Sequence, residues 1–264
     1  MSDALFDRDD AEPLDLWVRP AAPPPRMAGA RGLRFEFASR GDRVPGRVIL
    51  PPEGGGVRPP VILLQHGAGG SKESEYLDVA AAPWVARGAA LVTLDFPLHG
   101  ERANPKLARF LGAGAQTPGD DALRVEFARQ AVGDLRRALD ALAKIEALDA
   151  ARVAYAGFSL GALVGALFCA LDPRPRAAAL ALGGGGFGPP AVDPARFVAR
   201  IAPRPVLFVN ARGDETLPRA AAEALHAAAA PPKQVAWFDG GHSTLPGDAL
   251  KTMWQFLARQ LDLR

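Results

Sequence analysis

Cysteine is almost missing from this chain: 264 residues contain one, Cys169. A single thiol excludes an internal disulfide, and its place inside an apolar stretch reads as a small core side chain rather than a reactive group. Net charge is almost missing too. Thirty-one Lys and Arg against 29 Asp and Glu leave +2. That is too little for a nucleic-acid-binding surface, and no basic run or aromatic platform accompanies it. No apolar run is as long as a bilayer crossing. The first ten residues are acidic and lack the apolar segment of a secretion signal. The expected setting is cytoplasmic, with neither nucleic acid nor membrane as a partner. Histidine is sparse, with only His66, His99, His226 and His242, so any imidazole chemistry has few places to reside.

What the chain has is a composition of 48% hydrophobic and 23% charged residues, suited to one globular domain with a sizeable core. Its centre is Gly157-Phe158-Ser159-Leu160-Gly161. The run before it, Arg152 to Ala156, is short, apolar and strand-like. The run after it, Leu160 to Leu171, is apolar on every face, as a buried helix must be. Strand, tight turn and helix around G-x-S-x-G is the setting of a nucleophile elbow. Glycines two residues either side of the serine relieve crowding in a turn that holds the serine in a strained conformation.

The remaining pattern is regular. Residues 1–30, with Pro20, Pro23, Pro24 and Pro25, read as an irregular arm. Arg34 to Phe37 and Arg43 to Leu50 form a hairpin. Apolar strands are expected at Val61–Gln65, Ala89–Asp95, Ala177–Leu182, Val206–Asn210 and Gln234–Phe238, besides the one that enters the elbow. Helices are expected at Tyr76–Arg87, Ala122 to about Ala147, Pro218–Ala230 and Ala249–Leu261. In the long second one Ala128, Val132, Leu135, Leu139 and Leu142 repeat at helical spacing. Six strands alternating with helices after a two-stranded opening hairpin predict a mostly parallel eight-stranded sheet in a three-layer α/β/α sandwich. Residues 31–264 then form a single domain.

Open parallel sheets bind ligands outside the carboxyl ends of their strands. Four groups fall there: His66-Gly67-Ala68, Ser159, Asp214 and His242. The chain order Ser, Asp, His is that of an α/β-hydrolase. The pieces His66-Gly67-x-Gly69-Gly70, Asp95-x-Pro97-x-His99-Gly100, the elbow, Gly213-Asp214 and Gly241-His242 occur in order on the right elements. In these the chain resembles the α/β-hydrolases over roughly residues 33–262, and within them the dienelactone-hydrolase-like esterases. The resemblance implies the fold, hydrolysis of a small-molecule ester, and no metal or organic cofactor.

The roles follow from chemistry. A serine hydroxyl needs a base within hydrogen-bond reach. His242 is the candidate base, and Asp214 would hold its tautomer and stabilise the imidazolium. The oxyanion needs two donors. By position these are the backbone N–H groups of Leu160 and Ala68, with Gly69 as the alternative to Ala68. Each role has rivals. Glu215 and Asp239 compete with Asp214, which could instead be a turn residue after Gly213. His66 and His99 read as loop braces, as does Asp95, and His226 as a surface residue. Substrate-selecting insertions are expected at 98–121, with Arg102, Lys106, Arg109 and Phe110, and at 183–203, with Phe187, Phe197 and Arg200. Both are short, which implies an open pocket; its arginines could attract an acidic substrate group, but solvated surface arginine is the commoner case. Within the class, a thioesterase or an aminopeptidase-like amidase are the alternatives. Outside it, the alternatives are a catalytically silent binding module and a lyase or transferase on the same fold. The acyl group, the alcohol and the oligomeric state are not legible.

Overall fold

Two residues in left-handed conformation, Arg40 and Gly41 (φ 52° and 77°), make a tight turn in the N-terminal half. A two-residue loop of this kind matches the twist of an antiparallel pair, and it joins Arg31–Ser39 (β2) to Asp42–Leu50 (β3). The structure, a computed structural model, describes residues 3–9, 11–52, 56–104, 120–186 and 188–263. The other elements are Trp17–Ala21 (β1), Pro60–Gln65 (β4), Glu75–Ala86 (α1), Ala90–Leu94 (β5), Asp120–Leu142 (α2), Asp149–Phe158 (β6), Leu160–Leu171 (α3), Pro175–Ala181 (β7), Val206–Ala211 (β8), Arg219–Ala228 (α4), Lys233–Phe238 (β9) and Gly247–Gln260 (α5).

The strands form one sheet in the order β1-β2-β3-β5-β4-β6-β7-β8-β9. Pairing is antiparallel from β1 to β5 and parallel from β5 to β9. The expected three-layer sandwich is therefore present, with nine strands rather than eight. The ninth is β1, inside the stretch read as an irregular arm. Its five residues pair with β2 from Trp17↔Glu36 to Ala21↔Gly32. Four of the five are exposed, so β1 is an edge strand, and Pro20 is tolerated there because an edge has one unpaired side. No apolar alternation betrayed it.

Strand β4 shows how the layers divide. Val61 and Leu63 join the core cluster under α2 and α3, whereas Ile62 and Leu64 join the one under α1 and α5. This is the two-residue period of a strand covered on both faces. All six residues of β4 and all six of β8 are buried. Helix α2 ends at Leu142, earlier than the expected Ala147. Ala128, Val132, Leu135, Leu139 and Leu142 are all buried, as their spacing requires. The parallel strands end on one edge of the sheet, and the loops that leave β4, β5, β6, β8 and β9 converge there. No helix among the described residues is long and apolar enough to cross a membrane.

Candidate active site

Ser159 sits between β6 and α3 with φ 52° and ψ −113°, a conformation that non-glycine residues rarely adopt and that marks stored strain. Its N–H donates to the Ala181 carbonyl at 2.8 Å. The flanking glycines are required by space. A Cβ on Gly157 would overlap the Gly161 carbonyl, and one on Gly161 would lie 2.7 Å from the Gln65 oxygen. Tyr155 Oη donates to the Gly161 carbonyl at 2.6 Å from below. The turn is thus clamped between its own strand, the neighbouring strand and the first turn of α3.

His242 follows β9. Its loop is held by Gly213 N–H donating to Gly240 O at 2.9 Å and by Gly241 N–H donating to Thr244 Oγ1 at 2.8 Å. Nε2 lies 2.8 Å from Ser159 Oγ. Nδ1 lies 2.8 and 3.0 Å from the two carboxylate oxygens of Asp214. A carboxylate only accepts, so Nδ1 carries the proton and Nε2 is left to accept from the serine. Asp214 is itself fixed: Oδ1 accepts from the N–H groups of Thr216 and Leu217 at 2.9 and 2.8 Å. Three residues separated by up to 83 positions form one hydrogen-bonded line at the carboxyl edge of the sheet.

The rival acids lie elsewhere. Asp239 is almost fully exposed and faces Arg212 at 3.4 Å. Glu215 accepts the backbone N–H of His242 at 3.1 Å, so it braces the loop rather than the ring.

The loop after β4 runs beside the serine, where a Cβ on Gly67 would stand 3.3 Å from Ser159 Cβ. Almost every backbone donor in it is committed. The N–H groups of Gly67, Gly70, Ser71, Lys72, Glu73 and Ser74 go to Tyr76 Oη, Gly67 O, Ser74 Oγ, Asp95 Oδ1, Ser71 Oγ and Ser71 O. Among the described residues, those of Ala68 and Gly69 donate to nothing. Leu160, the first residue of α3, has an N–H with no carbonyl a turn behind it, as at every helix start. The N–H groups left uncommitted thus include those of Ala68 and Gly69, both named from the sequence.

The other histidines divide. His66 is fully buried; Nδ1–H donates to Gly67 O at 2.8 Å and Nε2 accepts from Phe96 N–H at 3.2 Å. Burial, the largest influence, pushes its pKa down to about 4. His99 Nδ1–H donates to the Pro97 carbonyl at 2.8 Å, again a brace. His226, expected at the surface, is buried between Phe208 and Trp237, with ring centroids at 4.8 and 5.8 Å. The helix that carries it presses that face onto β8 and β9, a packing that a run of alanines does not announce. Arg102, read as part of a substrate-selecting insertion and most often a solvated surface residue in such a place, has its side chain 6% exposed and bonded to Asp134 at 2.7 Å and Asp42 at 2.6 Å. It is consumed by structure. Phe197 stacks edge-on with Phe6 at 5.8 Å, so it anchors the arm. Lys106, Arg109, Phe110 and Phe187 lie outside the described residues. Cys169 is buried, which pushes its thiol well above the usual range. Among the described residues no group of three or more His, Cys, Asp or Glu side chains could hold a metal ion. The sequence reading missed Lys72 and Tyr76, both polar and both in contact with the loop after β4. Their only signal was position, just beyond Gly69-Gly70.

Solved structures superpose on nearly the whole chain. An esterase from an Arctic intertidal metagenomic library, described as cold-adapted, matches with a TM-score of 0.73 at 23% identity. It covers 92% of this chain and 97% of that one. An acetyl xylan esterase from Paenibacillus sp. R4 matches with a TM-score of 0.75 at 20% identity, over 97% of this chain and 91% of that one. A Klebsiella pneumoniae protein provisionally assigned as a dienelactone hydrolase matches at 0.65 and 16% identity, over 94% and 98%. The fold is that of the α/β-hydrolases. At such identities the likeness carries the α/β-hydrolase fold and leaves the chemistry to the site. No protein-family model and no curated protein sequence matches the chain.

Proposed function

We propose that the protein is a serine hydrolase that cleaves a small carboxylic ester through an acyl-enzyme. The observation that carries this reading is the line Ser159 Oγ, His242 Nε2, His242 Nδ1, Asp214, with 2.8 Å at each of the two joints. It ends on a strained serine beside a loop with uncommitted N–H groups. In the first half-reaction Oγ attacks the ester carbonyl and its proton passes to Nε2. The tetrahedral oxyanion is met by the N–H of Leu160 and that of Ala68, or of Gly69 in its place. On collapse the imidazolium returns the proton to the departing alkoxide. In the second half-reaction water gives its proton to Nε2 and attacks the acyl-enzyme, and Oγ takes the proton back as the acid leaves. Asp214 stays ionised and stabilises the imidazolium in both halves. The cycle calls on no metal or organic cofactor. The esterases among the structural neighbours make ester the first bond to test, ahead of thioester and amide.

The test is hydrolysis of p-nitrophenyl esters across acyl chain lengths, with Ser159→Ala beside the wild type and labelling by a fluorophosphonate. The expected result is turnover that vanishes in the variant, labelling at Ser159, and a preference for short chains. Labelling without turnover would redirect the search to thioesters and amides. Neither labelling nor turnover would overturn the reading in favour of a binding module.

A further inference from the structure

Among the described residues, Lys72 is the one lysine sunk in the protein next to the site. Its side chain is 3% exposed, and Nζ donates to Asp95 Oδ2 at 3.0 Å and to Glu101 Oε1. Asp95 is fully buried. Its carboxylate also accepts the backbone N–H of Lys72 at 2.7 Å and that of Glu101 at 3.0 Å. The Lys72 carbonyl accepts from Thr93 Oγ1 at 2.8 Å. Glu101 continues outward to Arg34. Gly100 makes room for the group: a Cβ there would overlap the Asp95 carboxyl. A chain of alternating charges thus runs from the surface to a buried carboxylate that grips both the loop after β4 and the loop after β5.

A buried ion pair is a poor way to gain stability, because desolvation of both charges offsets their attraction. What it supplies is geometry. Lys72 closes the same loop that presents Ala68 and Gly69, and both its backbone and its side chain end on one carboxylate. Errors of 1 Å in the placing of a catalytic donor cost orders of magnitude in rate. We propose that the Lys72–Asp95 pair, completed by Glu101, is a positioning device for the oxyanion donor of the loop after β4. The proposal rests on the hydrolase reading above. Lys72 touches no reacting atom; it acts through the backbone at 68 and 69.

The distinguishing measurement compares matched ester and thionoester substrates. Sulfur accepts hydrogen bonds poorly, so a well-formed oxyanion hole favours the carbonyl ester strongly and a displaced one loses that preference. In Lys72→Met the kcat for the ester is expected to fall by about 10- to 100-fold, part of what a lost donor costs, with KM within about threefold. The thionoester rate is expected to change little, so the ester-to-thionoester ratio shrinks by about tenfold or more. Rates are taken per fluorophosphonate-titrated site, well below the melting temperature. If Lys72→Met does not fold, the isosteric Asp95→Asn carries the same expectation. Ester and thionoester rates that fall together, or an unchanged ratio in the variant that folds, would overturn the positioning role while leaving the hydrolase reading intact. A wild type with no Ser159-dependent hydrolysis would overturn both.

Discussion

Ser159, His242 and Asp214 each occupy a place that the chain enforces by a different means. The serine is held by backbone strain and close packing, the histidine by a loop whose own N–H is tied to Glu215, and the aspartate by two backbone N–H groups. Asp214 accepts from both Thr216 and Leu217, so its carboxylate is ordered before any imidazolium forms. Asparagine at 214 would keep the shape but could present its NH2 to Nδ1 and favour the wrong tautomer. Asp214→Asn is therefore expected to lower kcat by about 10⁴-fold. Asp239→Asn, which removes only an exposed charge opposite Arg212, should leave kcat within about twofold, since surface ion pairs contribute little. Steady-state kinetics on a p-nitrophenyl ester distinguishes the two carboxylates directly.

Helix α4 behaves differently from what its sequence suggests. The sequence places a helix at Pro218–Ala230 with His226 at its surface, yet the helix, Arg219–Ala228, buries Ala222, Leu225 and His226. Among the described residues, His226 Nε2 has no hydrogen-bond partner. Burial pushes the His226 pKa down to about 4 from an ordinary value near 6.5. Between those two values the unfolded chain binds a proton that the folded one excludes. The contribution of His226 therefore destabilises progressively as pH falls from about 6.5 towards about 4, and levels off below. His66 acts in the same direction and over the same window. His226→Leu keeps an apolar side chain of similar volume and removes the titration. At pH 5 its melting temperature is expected to exceed that of the wild type by roughly 2–8 °C, with little difference at pH 8. Thermal unfolding at the two pH values checks this, and a gain of equal size at both would place the effect in packing alone.

Across the molecule, the N-terminal stretch is part of the structure it covers. Strand β1 extends the sheet to nine, Phe6 is buried against Phe197, and Arg137 donates to the carbonyls of Glu12 and Pro13 at 3.0 Å. Arg8 reaches Asp140 at 2.6 Å. An arm fastened by one aromatic anchor and several polar ties should come loose when the anchor is removed. Phe6→Ala is expected to cost about 3–5 kcal/mol if the arm stays seated, less if it detaches. Denaturant midpoints give the cost, and cleavage by a protease between residues 3 and 16 reports detachment.

Much of this architecture could be read directly from residue order, and the reason is locality. A strand covered on both faces must be apolar throughout, so β4 and β8 are visible as Val61–Gln65 and Val206–Asn210. An amphipathic helix must repeat its apolar face, so α2 is visible in five residues. A strained turn must have glycines around it, so Ser159 is visible in a pentapeptide. The order of Ser, Asp and His along the chain follows from the order of the strands. What residue order leaves open is set by contacts between distant segments. Strand β1 has no pattern because only one of its sides is paired and four of its residues face solvent. His226 looks exposed until β8 and β9 are laid against it, and Arg102 looks available until Asp42 and Asp134 close on it. Lys72 is an ordinary lysine in a polar tripeptide until the loop after β5 brings Asp95 to its amine. Solvation decides each of these cases. Whether a charge or an imidazole meets water or another side chain depends on surfaces that come together only when the sheet is assembled.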